Sequence, residues 1–203
     1  LDGSGGSAFR TSLSNVVLDP ESATVAALQD DYAGQGDIPF AETAGDPLAP
    51  TRAAPLPPAP IAGLTQRGPL GPLPAIGADG KTPLSAYRRP FTPPPGKKLV
   101  GLIVGGLGFN AALTQAAIEQ LPAEVTLSFV PYADNLQNWI NAARARGHEV
   151  MIEVPMESFD SAETDTGPQT LLAAGTAKDN VGRLENILSR GAGYFGVTNY
   201  LGA

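Results

Sequence analysis

The sequence predicts an α/β fold with parallel strands, preceded by a long segment that has no core of its own. Three observations predict it. Apolar runs of strand length recur after residue 97, and stretches of helical periodicity separate them. Gly or Pro closes most of these runs. Fifteen of the 20 Pro residues fall between Pro39 and Pro95, so the chain changes character near Gly96.

The first part reads as a spacer. Residues 1–15 are rich in Gly and Ser and read as flexible. Residues 19–33 have the pattern of a short helix, with Asp19 at the N-cap and Pro20 at the first turn. The Pro-rich stretch that follows favours extended polyproline II. Its Pro55-Leu-Pro-Pro58 spacing fits either a ligand for a Pro-binding module or, more simply, a spacer. Residues 1–75 are assigned to this spacer. Residues 76–96 are assigned to a lead-in, where Asp79-Gly80 marks a turn and Tyr87 and Phe91 offer apolar anchors.

From residue 97 to 203 each element has its own signal. Residues 98–104 form a continuous apolar run, as in a strand buried on both faces, and Gly105-Gly106 breaks it. Residues 110–121 carry Leu113, Ala117, Ile118 and Leu121 on one helical face, and Pro122 ends the helix. Residues 125–130 are a second strand, closed by Pro131. Asp134 with Gln137 resembles a capping box for a helix ending at Arg146, and Gly147 suits its C-terminal cap. Residues 149–154 are a third strand. A long loop follows, then a helix from Thr176 to Arg190 and a fourth strand over 193–199. The order βαβαβ-loop-αβ implies parallel strands with right-handed helical crossovers. Sites in such folds lie at the C-terminal ends of the strands.

Composition narrows the function. Formal net charge is −7, with 13 Lys and Arg against 20 Asp and Glu. Arg88-Arg89 and Lys97-Lys98 are pairs rather than patches, so nucleic acid is not an expected partner. With no Cys there is no disulfide and no thiolate metal site. The single His, His148, precedes the third strand and so lies away from the expected site, which argues for a structural role and against a Ser-His-Asp triad. Gly106, Gly108 and Ala111 fit a dinucleotide fingerprint. No carboxylate ends the second strand to bind a ribose, however. Glu153 and Glu157 stand at and just beyond the end of the third strand. There they could share a proton or hold a hard cation. Asp160, Glu163 and Asp165 follow in an acidic loop.

Several runs together carry a resemblance. They are Val104 to Gly108, residues 121–133, residues 143–157, Asp165 to Pro168 with Thr170 to Leu172, and residues 193–203. They look like the divergent polysaccharide deacetylase family, and residues 76–91 are similar to the lead-in of some members. The resemblance implies the N-terminal half of a NodB-like distorted (β/α) barrel, related to metal-dependent carbohydrate deacetylases. It implies a bacterial, periplasmic or envelope-associated protein whose partner is cell-envelope polysaccharide. Membrane attachment would come only through an anchor absent from this chain.

Deacetylases of this type carry an Asp-Asp pair after the first strand, where this chain has Gly105-Gly106. They carry His-x-x-x-His after the third strand, where it has Glu153 and Glu157. Divergent members carry Asn-His after the fourth, where it has Asn199-Tyr200. The resemblance therefore leaves Glu157 and Glu153 as the candidate catalytic residues. It leaves Gly106, Tyr132 and Asn199 as candidate substrate-binding residues. No dedicated metal ligand remains, and a divalent ion would have to rely on Glu153 and Glu157. Tyr132 and Trp139 could stack on sugars, although Trp139 in mid-helix reads first as core. The visible strands are fewer than the implied barrel needs, so the chain is expected to be a fragment. Two other readings stay open: an envelope scaffold without catalysis, and a nucleotide-binding βαβ domain.

Overall fold

A computed structural model describes residues 53–96, 98–159 and 164–201. The expected helix at 19–33 and the Gly/Ser-rich stretch lie outside the described residues, as do Asp160 and Glu163. All the described residues belong to one compact unit spanning 44–203.

A short antiparallel hairpin comes first, with β1 at Thr65–Arg67 and β2 at Pro72–Pro74. Helix α1 follows at Pro83–Tyr87. The alternating part comprises β3 (Ile103–Leu107), α2 (Ala111–Gln120), β4 (Thr126–Phe129), α3 (Leu136–Ala145), β5 (Val150–Met156), α4 (Ala177–Leu188) and β6 (Gly196–Leu201). Strands β3 to β6 form one parallel sheet in the order β3-β4-β5-β6. Spatial order therefore equals chain order. Every right-handed crossover steps the same way, so the helices share one face and the winding never reverses. This is half of a NodB-like distorted (β/α) barrel, not a doubly wound sheet.

Strand alternation divides the two faces. Leu127 and Phe129 of β4, with Val150, Ile152 and Val154 of β5, pack against Ile118, Leu136, Ile140, Ala143 and Ile187. The opposite face carries Thr126 and Ser128 from β4, and Met151 and Glu153 from β5. The two central strands are buried on both sides, as their apolar runs predict.

The first strand differs from its expectation. It runs over 103–107 rather than 98–104, and it lies at an edge of the sheet. Val100 is 85% exposed and only Leu107 of the strand is buried. An apolar run shows affinity for a core, but it cannot show whether a strand has neighbours on both sides. Gly105-Gly106 does not end the strand either. Pairing with β4 shifts register between Val104 and Leu107, and Gly106 takes φ +72° inside that irregularity.

The spacer boundary also moves. Residues 53–75 pack onto the barrel half, with Leu56 and Leu64 buried. The organising group is Arg144, which is 1% exposed. Its guanidinium donates to the carbonyls of Pro57 (2.8 Å), Tyr87 (3.0 Å) and Gly193 (3.0 Å). It also lies 4.9 Å from the Tyr87 ring centroid. Burial lowers its pKa. Tyr87 is a buried anchor, and its hydroxyl accepts from the Ile61 N–H at 3.0 Å. Phe91, the other expected anchor, is exposed. Arg89 adds its N–H to Glu149 (2.7 Å) and an ion pair to Glu124. The segment thus covers the end of the sheet where the strands begin.

Two side-chain caps help complete the frame. Asn110 and Thr176 accept from the Leu113 and Asp179 N–H groups and open α2 and α4. The expected Asp134–Gln137 box is not formed. Helix α3 starts after Asn135, at φ 54° with no side-chain cap, and Gln137 instead exchanges two hydrogen bonds with the Ala192 backbone. His148 is buried, with Nδ1 2.9 Å from the Val125 carbonyl and Nε2 3.2 Å from that of Ile118. It ties α2 to the start of β4, in the structural role expected of it.

Candidate functional site

Glu153 is the polar centre of the face away from the helices. It is 2% exposed. Its Oε1 accepts from the Gly106 N–H at 2.6 Å. That amide is available because the irregularity in β3 turns it out of the ladder with β4. Oε2 of Glu153 has no hydrogen-bond partner, and neither has the buried Ser128 Oγ on the adjacent strand. Thr198 of β6 stands in register with Glu153.

Burial is the main influence on this carboxyl and pushes its pKa up; the Gly106 N–H acts the other way. The Ser128 hydroxyl lies near enough to favour the anion but does not close a hydrogen bond. No neighbouring charge contributes. The result is a carboxyl inclined to keep its proton, with one oxygen engaged and one unengaged.

Two aromatic rings stand beyond it. Tyr200 is in register with Pro155, two residues past Glu153 on the same face. Its ring lies 6.4 Å from that of Phe109, tilted by 53°. Phe109 follows β3, so the curl of the sheet brings the tips of its two edge strands together. One pleat repeat, about 6–7 Å, separates this pair from the Glu153 level.

The other candidates take other places. Glu157 turns its Oε2 to the Ala173 N–H at 2.6 Å, while its own N–H donates to the Leu171 carbonyl. The two glutamates therefore serve different partners. Tyr132 accepts from the Gln169 N–H at 3.0 Å, and its ring fills the space beside Gly167. Burial raises its pKa. Asn199 is exposed on β6 in register with Val154, on the face opposite Glu153. Of the expected residues, only Gly106 and Glu153 meet. Ser128, Phe109 and Tyr200 were not singled out from the sequence for this site. A lone Ser inside the apolar run 125–130 was a signal for Ser128, and the Asn199-Tyr200 pair at the end of the fourth strand was one for Tyr200.

The residues present do not fit a deacetylase-type metal. A Cβ on Gly105 would lie 2.7 Å from Glu153 Oε1, so the carboxyl already fills the space where an aspartate side chain would begin. Among the described residues no three His, Asp or Glu side chains cluster as metal ligands. The Gly-rich turn does not fit a dinucleotide either. The Gly108 N–H donates to Thr114 Oγ1 at 2.9 Å, and the sheet has no reversal point.

The fold is that of half a deacetylase-like (β/α) barrel. Residues 102–203 match the model of the divergent polysaccharide deacetylase family, and the chain belongs to that family. Among solved structures it is similar to an uncharacterized protein of Agrobacterium tumefaciens C58. That protein is 44% identical, with a TM-score of 0.61, and the match covers 66% of this chain and 54% of the other. The chain thus spans about half the length of that relative. No curated protein sequence matches it. No helix among the described residues is long and apolar enough to cross a membrane.

Proposed function

We propose that this domain binds cell-envelope carbohydrate at the C-terminal mouth of its sheet, and that Glu153 has taken over the place of a metal centre. The observation that carries the reading is the Glu153 carboxyl: buried, anchored through one oxygen to Gly106, and unpartnered at the other. A buried polar atom without a partner costs stability and calls for a reason, such as a role in chemistry or a group that binds there. The Phe109–Tyr200 pair supplies apolar ring faces of the kind that stack on sugars. The periplasm or envelope is the proposed location.

The test is calorimetry on the full chain with oligomers of N-acetylglucosamine. Saturable binding that weakens at least tenfold in Glu153→Ala and in Tyr200→Ala supports the reading. No heat with any neutral glycan, or saturable binding of a nucleotide instead, overturns it.

A hydrolytic reading has one observation in its favour. A carboxyl with a raised pKa and an unengaged oxygen has the properties of a general acid. Acetate release from the same oligomers, lost in Glu153→Gln, would establish amide hydrolysis. Binding without acetate release would leave a binding domain.

A further inference from the structure

A second feature lies on the same rim, outside the Glu153 site. A groove of about 460 Å³ runs between the turn after β3 and the first turns of α3. This volume falls in the ordinary range for small-ligand sites. Leu136, Ile140 and Ala143 of α3 enter the core. Trp139 and Ala142 pack partly against that core and also line the groove, with Asn138 and the residue before the helix, Asn135. Phe109 lines it from the turn after β3, and Asp134 from the loop before α3.

The chemistry of the lining is selective. Trp139 and Phe109 give two aromatic surfaces. Asp134, Asn135 and Asn138 are exposed, and among the described residues their side chains make no hydrogen bond or ion pair. They offer both donors and acceptors at short reach. No Lys, Arg or His lines the groove, and the one charge, Asp134, is negative. A phosphate or a uronic acid would meet no cation there. A neutral ring with many hydroxyls would meet apolar faces and matching polar groups.

We propose that this groove is a saccharide subsite for a neutral sugar unit, joined to the Glu153 mouth through Phe109. Phe109 belongs to both: its ring lies 6.4 Å from that of Tyr200, and it also lines the groove. A chain of sugars would therefore cross the rim, with one unit at the mouth and another in the groove. The inference rests on the carbohydrate reading above and extends it to a polymer.

The test uses the fact that Trp139 is the only tryptophan of the chain. Its emission reports on the groove without a label. In titrations of the full chain, N-acetylglucosamine hexamer is expected to shift or quench this emission and to bind about tenfold more tightly than the monomer. Asn138→Ala and Asp134→Ala sit at exposed positions and should fold normally. Each is expected to weaken the hexamer about five- to tenfold and to leave monomer affinity at the mouth unchanged. An oligogalacturonate of equal length is expected to leave the emission unchanged. Calorimetric binding of the hexamer with unchanged emission and no effect of either variant would overturn the subsite while leaving the mouth intact. No binding by either readout overturns both.

Discussion

The Gly106 N–H donates to Glu153 Oε1 at 2.6 Å and joins the irregular turn of β3 to the middle of β5. The glycines and the glutamate make a single local solution. The carboxyl occupies the space that opens when residue 105 has no side chain, and the backbone amide of residue 106 holds it there.

This coupling predicts non-additive mutations. Gly105→Asp places a Cβ 2.7 Å from Glu153 Oε1 and a second carboxyl beside the first. It is expected to cost about 1–3 kcal/mol by crowding. In a Glu153→Ala background the same change should cost clearly less, with a coupling energy of about 1 kcal/mol or more. Urea unfolding of the four proteins measures the cycle, and simple additivity would show that the two positions are independent.

The raised pKa of Glu153 has a definite sign in stability. The folded carboxyl holds its proton more readily than the unfolded chain, whose glutamate titrates near the usual 4.5. Its contribution is therefore full below that value and is lost as pH rises through the folded pKa. Glu153→Gln stays neutral throughout. The variant should match the wild type near pH 4 and have the higher Tm at pH 8, with the other carboxylates cancelling in the comparison. A Tm difference that does not change with pH would contradict the assignment.

Arg144 is predicted to hold the lead-in in place. Arg144→Met would leave the carbonyls of Pro57, Tyr87 and Gly193 without their donors. The expected loss is about 3–5 kcal/mol. Arg144→Lys should recover little of it, because a single ammonium cannot reproduce the planar fork. Limited proteolysis should then cut first between residues 53 and 96. Equal protection of that segment in wild type and variant would refute this role.

Tyr132 is predicted to fasten the loop after β5. Tyr132→Phe removes the acceptor of the Gln169 N–H and should cost about 1 kcal/mol. Gly167→Ala should cost more, about 2–3 kcal/mol. Its φ is +90°, and a Cβ there would lie 2.6 Å from the Tyr132 ring. Hydrogen exchange over residues 165–172 reads both changes. Faster exchange in neither variant would remove Tyr132 from this role.

Much of the alternating part was legible in the sequence because its signals are local. Asn110 and Thr176 stand where their helices begin, and Gly147, at φ +91°, ends α3 as its position implied. The runs 125–130 and 149–154 are the buried central strands they resemble. Other features were hidden because they depend on partners far along the chain. Leu56 and Leu64 lie in a Pro-rich stretch whose composition reads as a spacer, and only Arg144, more than 80 residues later, shows that it packs. Gln137 suited a cap, but the Ala192 backbone claims it.

The sequence by itself determined the class of fold, the order of its elements and, through runs of matching residues, the family. These follow from periodicity, turn chemistry and motif order, which are properties of neighbouring residues. Only the tertiary structure decided that chain order equals strand order, that β3 is an edge, and that of five candidate site residues Gly106 and Glu153 meet. The physical reason is the curl of the parallel sheet. It brings residues 47 positions apart to 2.6 Å, and it places Phe109 against Tyr200 across the mouth. Distance along the chain carries no record of either contact.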